Sequence, residues 1–479
     1  MEIYDIIARS ARSWPDRPAV IDKYGRLDYQ TLYKQVNILR DKLLTLGVQP
    51  QQAIGVMGAN SRSFILCAFA ALGCGATVFP ISPKLKKTEL AFLIETAGLN
   101  AVLCDVELAP LAADSSTRVA IDAITGMELV QTGNSRKPHF RKLVPDAAFV
   151  RFTSGTTNES KGVILSHKIV LERIEAANKG LNLSHDDVVL WVLPMAFHFF
   201  VSIVLYLRYG VAIVVCPDHF ADTLLEWANT YKATFLYAAP LHYRLLAAND
   251  SDTQFETLRR AVSTSTSLPV QTAQAFRQRY HIPISQAYGI IEVGLPLLNL
   301  DQTVERPASV GKALPDYDVA VLDDSLAPVA DGSVGQLAIK GPGMFDAYLH
   351  PFLWRCDVTR NGWFLTGDLA VRDKDGFITI VGRSKALINV GGNKVFPEEV
   401  EAVIDQYPLV EISKVSAKLH PQLGEVVHAD IVCRSRSRTI DTEELLTFCR
   451  TRLASFKVPQ SVSFVEKVER TASGKITRR

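Results

Sequence analysis

From Asp16 to about Leu300 the chain alternates short apolar runs with amphipathic stretches, a pattern that restricts it to sheets covered by helices. Residues 53–57 read as a strand leading into a helix over 61–72. The same pairing recurs at 77–80 with 88–97, and at 211–216 with 221–231. From about Ser309 to Gly382 the pattern becomes β-rich, with strands expected at 317–322, 335–339 and 377–381 between Gly/Asp turns such as Asp331-Gly332 and Asp375-Gly376. Beyond Gly382, Pro397 with Glu398 and Glu399 forms the first turn of a helix, where proline needs no N–H partner and acids suit the helix dipole. Asp441 opens another helix, and 413–417 with 427–432 supply strands. The expected class is α/β: an N-terminal domain over 1–382, built of helix-covered β-sheets plus a β-rich subdomain, and a small α+β domain over 383–479.

Composition narrows the function. With 52 Lys+Arg against 50 Asp+Glu, and 48% hydrophobic residues, the chain can bury a large core, which excludes disorder, collagen and coiled coil. No basic excess is present to neutralise a nucleic-acid backbone or anionic lipid, so neither nucleic acid nor a membrane surface is expected as a partner. The seven cysteines are scattered and lack a CxxC pair, and the first fourteen residues lack the uninterrupted apolar segment of a secretory signal. Both point to reduced thiols and a cytoplasmic location. The uncharged stretch 64–81 approaches a bilayer's length, but Gly73, Gly75 and Pro80 and its change from Ala/Leu to Thr-Val-Phe read as a buried helix running into a buried strand.

The most unusual segment is Phe152-Thr153-Ser154-Gly155-Thr156-Thr157-Asn158-Glu159-Ser160-Lys161-Gly162. Five hydroxyl residues, glycines and a lysine in one turn are the chemistry of a phosphate cradle: exposed backbone N–H groups, O–H donors and a cation. It is not a Walker A loop, which needs glycine where Ser160 stands and Ser/Thr where Gly162 stands. The flanks 148–152 and 163–165 are β-branched and aromatic, so the arrangement is strand–loop–strand. HExxH and Gly-x-Ser-x-Gly sequences are both missing, which removes zinc-protease and serine-hydrolase readings.

This segment resembles the phosphate loop of the adenylate-forming superfamily of acyl-CoA synthetases, adenylation enzymes and luciferases, and the superfamily's other signatures follow in order. Pro194-Met195-Ala196-Phe197-His198 resembles its acyl-pocket segment, and Tyr288-Gly289-Ile290-Ile291-Glu292 its Tyr-Gly-x-Thr-Glu motif. Trp363-Phe364-Leu365-Thr366-Gly367-Asp368 resembles the ribose-binding motif, Gly382-Arg383-Ser384-Lys385 the interdomain hinge, and Arg470-Thr471-Ala472-Ser473-Gly474-Lys475 the terminal lysine motif. The resemblance implies that a carboxylate attacks the α-phosphate of ATP, giving acyl-adenylate and pyrophosphate, and that a thiol then takes the acyl group.

By that resemblance Lys161 with Thr153, Ser154, Gly155, Thr156 and Thr157 holds the β- and γ-phosphates, Glu292 ligates Mg²⁺, and Lys475 bridges carboxylate and α-phosphate. Tyr288 stacks on adenine, Asp368 accepts from the ribose hydroxyls, and Arg383 contacts the ribose side. Phe197, His198, Ser265, Thr266 and Gly289 line the acid pocket. The C-terminal domain is implied to be a mobile lid turning at Lys385, which withdraws Lys475 and presents Gly391 and Gly392 to the thiol of CoA or of a carrier protein's phosphopantetheine. The partners implied are a small carboxylic acid and an acyl carrier protein.

The sequence departs from the family pattern in four places. Ile291 replaces a threonine; Asn158 and Ser160 replace Gly and Pro; Asn389 stands where many thioester-forming members carry lysine; and Ser263-Thr264-Ser265-Thr266-Ser267 occupies a usually Gly/Ala-rich segment, which should narrow the pocket and make it more polar. His198 is either a specificity residue or a hydrogen-bonded core histidine. No aspartate stands at that position to pair a substrate ammonium, so the acid expected is aromatic or aliphatic without an α-amine. Two alternatives stay open: adenylation with an amine or oxygen acceptor, and a nucleotide-binding relative with reduced turnover.

Overall fold

The computed structural model describes residues 2–112, 118–121, 125–152, 161–390, 393–420, 424–434, 440–470 and 476–477. The described residues separate into two compact units, one within 1–318 and 340–362, the other within 319–339 and 363–479.

The first unit contains two nine-stranded sheets. In one, Val188–Trp191, Phe235–Ala238, Arg260–Ser263 and Ile284–Ile290 lie side by side and parallel. Helices Ala221–Thr230, Pro240–Ala247 and Val270–Tyr280 follow successive strands and bury Leu224, Tyr243 and Phe276 in one core cluster. Because each crossover helix returns the chain to the same end of the sheet, the strands' C-terminal ends gather on one side, where open α/β sheets bind ligands. In the other sheet, Ala53–Met57 runs parallel between Thr77–Ile81 and Ala101–Asp105, and Thr77–Ile81 adjoins Ala147–Phe152.

The uncharged stretch 64–81 is, as expected, a buried helix and a buried strand. Helix Arg62–Gly73 is buried from Ser63 to Leu72, and its N-cap Ser61 Oγ accepts from the Phe64 amide at 3.2 Å. Among the described residues no helix is long and apolar enough to cross a membrane. The seven cysteines stand as thiols rather than disulfides. The helix expected from residue 88 begins at Lys87, because Glu89 reaches back to accept from the Lys86 amide at 2.8 Å and so closes the first turn.

The second unit holds an antiparallel sheet in the order Asp318–Leu322, Val334–Lys340, Phe364–Arg372, Ile378–Arg383, which is the β-rich segment read from the sequence. A further sheet pairs Val410–His420 with Gly424–Cys433 and adds Ser461–Phe464 in parallel. Helix Pro397–Ile404 begins on Pro397 with Glu398 and Glu399 in its first turn, and the Asp441 side chain caps Thr442–Arg450 by accepting from the Glu443 and Glu444 amides. Grouped by compactness, the β-rich strands fall in the same unit as the C-terminal sheet.

Candidate active site

Strands Ala147–Phe152 and Gly162–Ser166 are antiparallel, with Arg151 opposite Val163 and Phe152 opposite Gly162, so the hydroxyl-rich run does join strand to strand. Thr153, Ser154, Gly155, Thr156 and Thr157 lie outside the described residues, as do Gly391, Gly392 and Lys475. Lys161 is described and enters the second strand. A third strand, Ala347–Leu349, sets Tyr348 opposite Val163, which places the phenol ring beside the lysine. Lys161 Nζ lies 4.9 Å from the ring centroid, a cation–π distance. Tyr348 Oη donates to Glu292 Oε1 at 3.0 Å. Burial and the adjacent carboxylate both push the phenol's pKa up, so the hydroxyl stays protonated and keeps donating. Lys161 and Glu292, 131 residues apart, thus meet across one tyrosine.

Glu292 owes its position to a bulged hairpin. Ile284–Ile290 turns back into Gly294–Leu298, with the register shifting between Tyr288 and Ile290. The bulge falls at Gly289, where a Cβ would stand 2.6 Å from the Gly294 carbonyl oxygen, so only glycine fits there. Arg173, 1% exposed on helix His167–Leu181, fastens the turn: Nη1 donates to the Ile291 carbonyl at 2.9 Å, and Nε to the Gly343 carbonyl at 2.9 Å. Burial lowers the pKa of Arg173 to about 10, which leaves it a cation at neutral pH. Gly343 has φ +66°, and a Cβ there would lie 2.4 Å from Arg173 Cβ, so the arginine and the glycine require each other.

Tyr348→Phe removes one hydrogen bond to a charged group, worth ~1.5–3 kcal/mol, and an expected ~10- to 100-fold loss in kcat/KM follows if Glu292 must be oriented for turnover. Steady-state kinetics, run well below the unfolding midpoints of both wild type and variant, would check it.

The residues expected to line the acid pocket follow the C-terminal ends of the parallel strands. Val188–Trp191 leads to the helical turn Met195–His198. Trp191 and Tyr237 are cross-strand partners with stacked rings 6.5 Å apart, and His198 meets both in T-shaped contacts at 6.0 and 6.4 Å. Arg260–Ser263 leads to Thr264, whose hydroxyl bonds Tyr237, then to Ser265 in the left-handed region at φ 77° and to exposed Thr266. The left-handed Ser265 explains why glycine would be usual in this segment.

In the second unit, Asp368 and Arg383 are opposite each other on adjacent strands, and Arg383 Nε donates to Asp368 Oδ1 at 2.9 Å. The aspartate is buried and the arginine half exposed. Gly367, at φ +76°, turns the chain so that the Asp368 amide can donate to Thr366 Oγ1 at 3.1 Å. Lys385 is exposed in the short turn Ser384–Ala386 directly after Arg383.

Sequence reasoning missed Tyr348, Arg173 and Arg151. Tyr348 leaves no local signal, since its partners are remote in the chain. The other two do: Arg173 stands on the apolar stripe of its helix beside Ile169, Val170 and Ile174, and Arg151 interrupts an otherwise apolar strand.

Helix-covered sheets of this order, with a lysine behind a hydroxyl-rich loop and a glutamate on a bulged hairpin, define an adenylate-forming enzyme. The chain belongs to the AMP-binding enzyme family, which matches residues 7–349, with the family's C-terminal domain matching 399–475. It is 29% identical to a feruloyl-CoA synthase of Amycolatopsis, over 98% of this chain and 96% of that one. To a 2-succinylbenzoate–CoA ligase of Geobacillus it is 27% identical, over 97% and 94%. The ATP-bound structure of MatB from Rhodopseudomonas palustris superposes with a TM-score of 0.86 at 26% identity, covering 100% of this chain and 97% of that one. The reaction class is that of an AMP-forming acid–CoA ligase.

Proposed function

We infer that the chain activates an aromatic carboxylic acid without an α-amine as its acyl-adenylate and passes the acyl group to the thiol of CoA. The observation that carries this reading is the junction of Lys161, Tyr348 and Glu292 in the same compact unit as the aromatic cluster of Trp191, Tyr237 and His198, of which His198 is the partly exposed member. His198, held edge-on by two buried rings, offers a fixed aromatic surface to a flat aryl group, and relatives named for ferulate and succinylbenzoate point the same way.

In this account Lys161 and the residues Thr153, Ser154, Gly155, Thr156 and Thr157 receive the β- and γ-phosphates, and Tyr288 receives the adenine. Asp368 accepts from the ribose hydroxyls, with Arg383 holding its carboxylate in place. Phe197, His198, Ser265, Thr266 and Gly289 bound the acid. Adenylation brings a carboxylate to a polyanion, so its barrier is electrostatic, and placed cations lower it. Lys475 supplies one at the reacting atoms. Glu292 fits a Mg²⁺ ligand: it offers hard oxygens, one fixed by Tyr348, and no described cluster of three or more His, Cys, Asp or Glu competes for a metal. That ion would neutralise phosphate charge when bound.

We divide the working domains at 382/383, with the lid turning at Lys385 and bringing Gly391 and Gly392 to the thiol. A carrier-protein phosphopantetheine is the second acceptor of the same chemistry. The protein is assigned to the cytoplasm, where ATP and CoA are available. ATP–pyrophosphate exchange with benzoates, cinnamates and fatty acids tests the reading, which expects exchange to be strongest with an aryl acid.

A further inference from the structure

Arg151 is a partly buried cation whose Nε is sealed from solvent, and the roles assigned above do not use it. On strand Ala147–Phe152 it shares a face with Phe149, two residues earlier. The Phe149 ring lies 5.9 Å from that of Phe199 and 5.6 Å from that of Phe200, so this face is turned toward the segment that carries Phe197 and His198. The Arg151 guanidinium sits 5.6 Å from the Phe197 ring centroid, and Nη1 donates to the Phe197 carbonyl.

Its Nε is buried without a hydrogen-bond partner among the described residues, and the charges felt at it are the Glu292 carboxylate, acting through space, and the Arg173 cation. Burial lowers its pKa to about 10, so it is still charged at neutral pH. A charged N–H sealed from water and left unpaired is costly unless an anion arrives. The fork of parallel N–H groups that it presents matches a carboxylate.

We propose that Arg151 binds the reacting carboxylate of the acid, orienting it between the Phe197 side of the pocket and the Glu292 side. This rests on the reading of Phe197 and Glu292 given above. Residue 151 directly precedes the hydroxyl-rich loop, so the same strand end would serve acid and phosphates, with the guanidinium taking the acid and the loop the nucleotide.

The test is ATP–pyrophosphate exchange by wild type, Arg151→Met and Arg151→Lys, varying the acid and ATP separately. For Arg151→Met the acid KM should rise ~10- to 100-fold with the ATP KM within about twofold of wild type, as expected for a lost bidentate charged contact. Arg151→Lys keeps the charge without the fork and should fall between the two, at least ~3-fold above wild type. It also carries the test if the methionine variant fails to fold. An unchanged acid KM in Arg151→Lys, or equal rises for acid and ATP, overturns the proposal. So does a loss confined to acids with a second carboxylate, which would make Arg151 a reader of the distal group. Absence of acid-dependent exchange in the wild type would instead overturn the underlying function.

Discussion

Lys475→Ala should lower acyl-adenylate formation by ~10²- to 10³-fold, the usual cost of removing one preorganised charged donor from the reacting atoms. Thiol transfer from supplied acyl-adenylate should stay within about threefold of wild type, because in the proposed cycle the lid has by then withdrawn this lysine. The lysine's own position lies outside the described residues. The flanking residues Arg470 and Ile476 pair in an antiparallel bridge, and the Thr477 amide donates to the Glu469 carbonyl at 2.9 Å. Single-turnover measurements of the two half-reactions separate the outcomes. Equal loss in both halves would refute the 382/383 division with its hinge at Lys385.

Glu292→Gln is expected to cost ~10²- to 10³-fold in kcat, for a related reason. Glutamine keeps an oxygen that can accept from Tyr348 Oη, and Arg173 still fastens the turn at Ile291. The fold should therefore survive while the negative charge is lost. The Mg²⁺ concentration for half-maximal exchange should rise at least ~10-fold. Tyr348→Phe, which keeps the charge and loses only its orientation, should show a smaller loss. A glutamine variant with wild-type Mg²⁺ dependence would remove Glu292 from the metal.

The parts of this site that were legible in the sequence are those whose chemistry is concentrated in short runs. Five hydroxyls before Lys161 and a Tyr-Gly-x-x-Glu segment announce themselves because hydroxyls, glycines and charges are rarely so dense without a ligand. The alternating elements were legible for a similar reason, since strands such as Ala53–Met57 are apolar at every position and so mark a sheet buried on both faces. What joins the runs was not legible. Tyr348 reaches Lys161 through a strand pairing with Val163, almost two hundred residues away, and nothing local in Ala347-Tyr348-Leu349 encodes it. Arg383 was assigned to the ribose side, whereas in the structure it also pairs directly with Asp368, a consequence of antiparallel register that the sequence does not state. Arg151 and Arg173 show the intermediate case: a charge where burial is expected is visible, but its partners are set by tertiary packing.

The central claim is that Lys161, Tyr348 and Glu292 serve the adenylation of an aryl acid. Its most direct test is ATP–pyrophosphate exchange by the wild-type protein with Mg²⁺, across benzoates, cinnamates and fatty acids. Acid-dependent exchange that is greatest with an aryl acid, and falls with Glu292→Gln, is the predicted result. Exchange that ignores the acid, or its absence with every acid, would contradict the claim and favour a nucleotide-binding relative without turnover.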